Sequence, residues 1–450
     1  MNKLTSVVVV TLSAACLARG QQAEWAQVPE ILLRIQAPVF PARDFVITKY
    51  GAVADGRTDC TEAIRKAIDA CAKSGGRVVV PAGEFLTGPI HLQSGVNLHL
   101  ETNATLLFTT NTRAYLPAVF SRFEGVECYN YSPFIYAFGQ KNIAVTGSGT
   151  LDGQATEENW LSWKGRKGAT TNTQTIANNR LKKMADDGVP VEQRRFGEGD
   201  YLRPNFIQFN RCRNVLIEGV HIRRSPMWEI HPALCTNVIV RGVDIVSHGA
   251  NNDGCDPESC RDVLIEDCLF DTGDDCIAIK SGRNADGRRI GVPSVNLIVR
   301  NCTMRDGHGG VTIGSEISGS CSNVFAENCE MSSPHLTCAL RLKSNAVRGG
   351  LEQNIFMRNV KVGQVSDSVL QIDFLYEEGT NGMYRPVARN VVMDNIAVEH
   401  TPRVLNVRGF PDAEISNIRI YNSTFKDVRK PDVVRDADVK LIDCELEPAK

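Results

Sequence analysis

The sequence predicts an all-β chain wound as a right-handed parallel β-helix, a solenoid with a capping helix near its N-terminus. Three observations lead there. An Asn or Asp followed by a β-branched or apolar run returns at Asn142, Asn214, Asn237, Asp262, Asn296, Asn323, Asn354, Asn390, Asn417 and Asp438. From Asn214 the steps are 23, 25, 34, 27, 31, 36, 27 and 21 residues, which fits one coil per repeat with loops of variable length between strands. Each repeat also holds two or three short strand-forming runs, such as Val263-Leu264-Ile265, Cys268-Leu269-Phe270 and Cys276-Ile277-Ala278-Ile279. No helical stretch of ten residues separates those runs, so they cannot be βαβ units. A β-propeller is the rival architecture, but its blades need a steadier spacing of about 40–45 residues.

Taken in chain order, Met1 to Gly20 read as a secretory signal peptide. Lys3 is the positive start, Leu4 to Leu17 is apolar apart from Thr and Ser, and Ala18-Arg19-Gly20 offers small residues before a cut. The apolar run is too short to span a bilayer, and no other stretch approaches 18 apolar residues. The expectation is an exported protein, periplasmic or secreted. Cys16 leaves a surface lipoprotein as the less favoured form, because Ser13 is a poor residue three positions before a modified Cys. Residues 21–44 read as an N-terminal extension, and 45–450 as a single β-helical catalytic domain.

At the start of that domain Phe45 to Tyr50 is strand-like. Thr61 to Ile68 has helical spacing with Thr or Asp at its cap, and Gly75-Gly76 ends it before the strand Arg77 to Val80. Such a helix would close the open end of the solenoid. Residues 154–202 form a loop insertion without strand periodicity, carrying Trp160, Trp163, the cations Lys164, Arg166 and Lys167, and further charges at Arg194, Arg195, Glu198 and Asp200. It reads either as an exposed insertion or as a wall over one end of a cleft, where aromatic faces would border a ligand.

Composition excludes some functions. The formal net charge is −2, falling to −4 if Lys3 and Arg19 are removed, so no global basic field attracts nucleic acid or anionic lipid. A polyanionic ligand would have to be held by local cations. The chain has 15 Cys; many recur at similar places in the repeats (Cys212, Cys235, Cys268, Cys302, Cys329, Cys444), which favours stacked core thiols with at most one or two bridges. Cys255 and Cys260 lack the second pair or spaced His of a zinc site. No metal or organic cofactor is indicated.

Four islands in the middle of the chain carry the chemistry: Asn251 to Asp256, Gly273-Asp274-Asp275-Cys276, Gly307-His308-Gly309 and Arg341-Leu342-Lys343. A lone Asp beside glycine is ordinarily a turn former. Asp253, Asp274 and His308 are instead separated by 21 and 34 residues, close to one coil each. Equivalent positions in neighbouring coils lie about 5 Å apart. Adjacent residues on a strand face opposite ways, so Asp274 and Asp275 reach one cleft only if the backbone bends, which Gly273 would permit. Where carboxylates crowd, one pKa rises and that group stays protonated. Arg341 and Lys343, two apart on a strand, point to one face and could hold an acidic sugar's carboxylate.

The four islands, in this order, resemble those of glycoside hydrolase family 28, the polygalacturonases, over roughly residues 45 to 425. Lys49 to Asp59 also resembles the opening segment of pectin-degrading β-helices, and Tyr376-Glu377-Glu378-Gly379 the family's late tyrosine motif. The resemblance implies hydrolysis of α-1,4-galacturonosidic linkages in pectin without a cofactor. Asp274 would be the general acid, and Asp253 and Asp275 would activate water. His308 would tune the acid, and Arg341, Lys343, Tyr376 and Asn251 would bind substrate. It implies inversion, with carboxyls about 6.5–9.5 Å apart around a water. Asn252 stands where Thr is frequent, and Asp256 takes a structural place. The implied partner is a pectic polysaccharide or oligogalacturonide, met by a monomer with no nucleic acid and no membrane span. The insertion inclines the reading to exo action. Rhamnogalacturonan hydrolase stays open as the near alternative, a calcium-dependent pectate lyase and a non-catalytic solenoid as the remoter ones.

Overall fold

The computed structural model describes residues 24–165 and 173–449, which form two compact units. The N-terminal unit comprises Ile35–Val263 with Asp271–Asp274, and the C-terminal unit comprises 24–34, Leu264–Phe270 and 275–449. Each winds as a parallel β-helix of three stacked faces, the expected architecture.

In the N-terminal unit the first face stacks Gly76–Val80, Val96–Leu100, Lys141–Gly147, Arg213–Glu218 and Thr236–Arg241, all parallel. The second runs from Gly83–Thr87 to Asp244–Ser247, and the third from Ile90–His91 to Ile230–Ala233. Register explains the core. Val78, Leu98, Val145, Ile217 and Val240 are successive partners on the first face, and all five are fully buried. In the C-terminal unit the third face stacks Ile277–Ile279, Gly309–Ile313, Cys338–Lys343, Ser368–Asp373, Arg403–Arg408 and Val433–Arg435.

The recurring asparagines are the bends. Asn142, Asn214 and Asn237 all have φ between 54° and 58°, the left-handed region that Asn tolerates best after Gly. Their side chains bond up the stack: Asn214 Nδ2 donates to Asn142 Oδ1 at 2.8 Å, and Asn237 to Asn214 at 2.9 Å. The C-terminal unit repeats this through Asn323, Asn354, Asn390 and Asn417, each donating to its predecessor from Asn296 onward at 2.8–3.1 Å.

The helix Thr61–Ala72 is present, burying Ala63, Ile64, Ala67, Ile68 and Cys71. The cap position is held by Cys60, neither Thr nor Asp, while Asp59 Oδ1 one residue earlier accepts the Thr61 N–H at 2.9 Å. Phe45 to Tyr50 departs from expectation. Only Asp44–Val46 is strand; Ile47–Tyr50 is a 3-10 turn, closed where Gly51 adopts φ 102° and donates to Thr48 O. Three described helices escaped the sequence reading: Val28–Arg34 and Asn284–Ile290 in the C-terminal unit, and Gln174–Asp186 within the insertion.

All fourteen described cysteines are free, thirteen of them buried, and they stack as thiols: Cys212 N–H donates to Cys235 Sγ at 3.3 Å. The expected signal peptide, with Cys16, and the insertion's Arg166 and Lys167 lie outside the described residues. No described helix is long and apolar enough to cross a membrane.

Candidate active site

In the C-terminal unit the third face places Asp275 two residues before the strand Ile277–Ile279, His308 immediately before Gly309–Ile313, and Arg341 and Lys343 within Cys338–Lys343. Pairing in register brings three of these together. Lys343 Nζ lies 2.7 Å from Asp275 Oδ2, and an Arg341 terminal nitrogen 3.5 Å from Oδ1. Thr312, the partner of Arg341 in the preceding strand, donates its hydroxyl to Asp275 Oδ1 at 3.0 Å. Burial of Asp275 raises its pKa, but the charges of Lys343 and Arg341 outweigh that and hold it well below the usual carboxylate range. Held ionised, Asp275 is free to accept a proton, and the same cations make it a weaker base than an unpaired Asp. Two glycines make the room: a Cβ on Gly309 would come within 2.8 Å of Asp275 Oδ1, and one on Gly314 within 2.1 Å of Lys343 O.

The cation pair therefore has a partner the sequence did not foresee, since its nearest anion is Asp275. Arg341 Nε also donates to Gln371 Oε1 at 2.7 Å. Gln371 is the register partner of Arg341 in the next strand and was missed, because its own repeat carries no glycine-flanked island. Lys343 Nζ sits 5.5 Å from the ring centre of Tyr376, a cation–π distance that puts this tyrosine beside the pair. His308 is exposed, with its carbonyl accepting the Thr337 N–H at 2.8 Å. A second buried set, Lys280 and Arg283 on Glu316 at 3.3 and 3.1 Å, gave no signal in the sequence beyond ordinary charge.

In the N-terminal unit Asp253 is buried and Asp274 half-buried, and carboxylate oxygens of the two lie within 4.8 Å of one another. Nearest oxygens this close are compatible with carboxyl groups standing about 6.5 Å apart. A water donating to both still fits, since two hydrogen bonds of about 2.8 Å meeting at a bent angle span this gap. Asp274 N–H donates to Asn252 O at 3.3 Å, which fixes the two motifs in adjacent coils. Gly273 is required for a different reason from the one expected. Its φ is not left-handed, but a Cβ there would lie 2.4 Å from Gly249 O, so close approach of two coils selects glycine.

Asn252, the departure from the motif, is the internal brace of this loop. Its Oδ1 accepts from Gly249 N–H at 2.6 Å and from Ser247 Oγ at 2.8 Å, while Nδ2 donates to the carbonyls of Met227 and Ser225. Asn251 has φ 59° and turns its Oδ1 to two cations, Arg203 and Lys164, each at 2.8 Å. Asp256 is fully buried, in keeping with a structural place. Behind Asp253 stands a carboxyl the sequence did not single out. Burial pushes Glu229 far up, Ser247 and Ser225 oppose the shift, and the Asp253 charge adds to it.

The described part of the insertion is packed. Trp160 is fully buried against Tyr115 and Phe134, so it anchors the insertion and does not stack on a sugar. Leu181, Ala177 and Phe196 join the core of Phe123, Val126 and Trp228.

Comparison with known proteins agrees with this geometry. The model for glycosyl hydrolases family 28 matches residues 194–406, which hold all four islands, and that for rhamnogalacturonase A/epimerase, pectate lyase-like proteins matches 45–115. The chain is 44% identical to a hyperthermoactive exopolygalacturonase from Thermotoga maritima, covering 94% of this chain and 96% of that one with a TM-score of 0.91. It is 27% identical to a probable polygalacturonase of Vitis vinifera over 84% of this chain and 73% of that protein. An exo-poly-alpha-D-galacturonosidase of Dickeya chrysanthemi is 28% identical over 84% of this chain and 62% of its own length. The chain belongs to glycosyl hydrolase family 28.

Proposed function

We propose that this protein hydrolyses α-1,4-linked polygalacturonate and releases sugar from a chain end. The observation that carries the reading is Asp275, buried and held ionised by Lys343 and Arg341. Similarity to exopolygalacturonases over nearly the whole chain supports the substrate and the end-acting mode. In the proposed reaction Asp274 protonates the glycosidic oxygen as the bond to the anomeric carbon breaks. Water attacks that carbon from the opposite side and gives its proton to Asp253 or Asp275, so the anomeric configuration inverts. His308 acts on the protonation of the acid. Arg341, Lys343, Tyr376 and Asn251 are the proposed substrate contacts, with Lys343 using donors beyond the one spent on Asp275.

Product analysis on polygalacturonic acid tests this. Monomeric galacturonic acid from the first time point, with a newly formed anomer of inverted configuration by NMR, is the expected result. A ladder of saturated oligomers would keep the chemistry and remove the exo mode. Unsaturated products mean a lyase, and turnover on rhamnogalacturonan alone would transfer the function there. Export of a monomer completes the proposal; N-terminal sequencing of the mature protein and its sedimentation mass check both parts.

A further inference from the structure

The insertion of the N-terminal unit meets the Asn251 motif through two residues. Leu161 packs where a Cβ on Gly249 would stand, 2.6 Å away, and Lys164 donates to Asn251 Oδ1 at 2.8 Å. Arg203 reaches the same oxygen but is a brace. Fully buried, it gives Nε to Gln174, one terminal nitrogen to the carbonyls of Pro226 and Ala250, and the other to Asn251. Lys164 is half-buried and differs in what it keeps. An ammonium has three donors, one is used on Asn251, and the other two have no partner among the described residues. Burial depresses its pKa while the carboxylates of Glu124 and Asp274 raise it, which puts the Asp274 charge within electrostatic reach. Beside it Trp163, half-buried, lies in a cluster of rings with Tyr131 and Tyr201 at 5.4 and 5.3 Å.

We propose that Lys164 is a uronate subsite: its remaining donors take the carboxylate of the sugar whose glycosidic oxygen meets Asp274, with Trp163 bordering that sugar. This rests on the hydrolase reading above and deepens it, because the insertion then selects chain ends that bear a free carboxylate as well as limiting length. An ammonium on a flexible stem suits a point contact with a carboxylate that must bind and leave each turnover. A charge-assisted pair shielded by the insertion is strong enough to discriminate.

The test compares trigalacturonate with the same trimer methyl-esterified at its non-reducing end, using wild type, Lys164→Met and Lys164→Arg. Wild type should prefer the free acid, and Lys164→Met should raise KM for it about 10- to 100-fold with kcat little changed. The ester should be turned over almost equally by both. Lys164→Arg should recover much of the preference, and unchanged melting of both variants separates binding from folding. Equal acid-to-ester preference in wild type and Lys164→Met would overturn the subsite while leaving the hydrolase reading intact. Wild type inactive on every galacturonate substrate would overturn both.

Discussion

Two pairs of acids, one in each unit, keep different company. In the C-terminal unit two buried carboxylates have two cations each: Lys343 and Arg341 for Asp275, Lys280 and Arg283 for Glu316. In the N-terminal unit Asp253 has Asp274 within 4.8 Å, Glu229 behind it, and a loop braced by the neutral side chains of Asn252 and Ser247. Cations near a carboxylate fix its ionised form; carboxylates crowded together push one of them to keep a proton.

The largest effect should come from breaking this difference at its ends. Asp274→Asn should lower kcat by about 10²- to 10⁴-fold with melting almost unchanged, since a half-buried carboxyl is replaced by an isostere. Asp275→Asn should lower kcat as far and also lower the melting temperature, because Lys343 is left buried without its anion. Kinetics and calorimetry on the two variants suffice, and equal melting shifts would remove the contrast. Next in size is Lys343→Met, which leaves Asp275 with Arg341 as its one remaining cation of the pair. Removing one partner of a buried pair costs about 3–5 kcal/mol, measurable by urea unfolding. The Asp275 pKa should rise at the same time, moving the acid limb of the activity profile to higher pH.

The sequence carried the half of this contrast that repeats. Asn214, Asn237 and their successors announce the coils because each must adopt a left-handed bend and bond its neighbour, a demand few residues meet. The islands were legible because glycines stand where coils or side chains approach closely, as at Gly273 and Gly309. What stayed hidden was partnership. That Arg341 and Lys343 answer Asp275, 66 and 68 residues earlier, depends on strand register. The helix Gln174–Asp186 was hidden because its buried face contains Gln174 and Asn178, which carry no apolar period.

A smaller effect sharpens the comparison with pH. Glu352 in the C-terminal unit is fully buried, neither carboxyl oxygen has a hydrogen-bond partner among the described residues, and burial pushes its pKa far up. Its folded pKa lies above the unfolded value of about 4.3, so stability is lost as pH rises past that value. Glu352→Gln should match wild type near pH 4 and exceed it by about 1–3 kcal/mol near pH 7. Glu258 in the N-terminal unit is the reverse case. Burial raises its pKa, but Arg122 and His231 outweigh it and bring it down to about 2. The stability from this group is present above its unfolded pKa and lost as pH falls toward 2. Glu258→Gln should therefore destabilise near pH 7 and lose that effect in acid. Unfolding curves of both variants at the two pH values decide it; parallel behaviour would mean that the difference in partners does not govern stability.

The smallest expected effect is none. Both units stack thiols: Cys212 and Cys235 in one, and in the other Cys302, whose pKa is raised far up by its neighbour Cys268. Were any pair bridged, reduction would remove about 2–5 kcal/mol, several degrees of melting temperature. Sulfur fills these positions as a small apolar group bonded to carbonyls, as Cys235 is to Phe209 O at 3.2 Å, and a thiol with that bond gains nothing from oxidation. Melting with and without reductant should therefore coincide. Cys235→Ala should cost about 1 kcal/mol, the loss of a packed sulfur, whereas a reductant-sensitive transition in either unit would mean that unit is stapled and owes less to its coil-to-coil register.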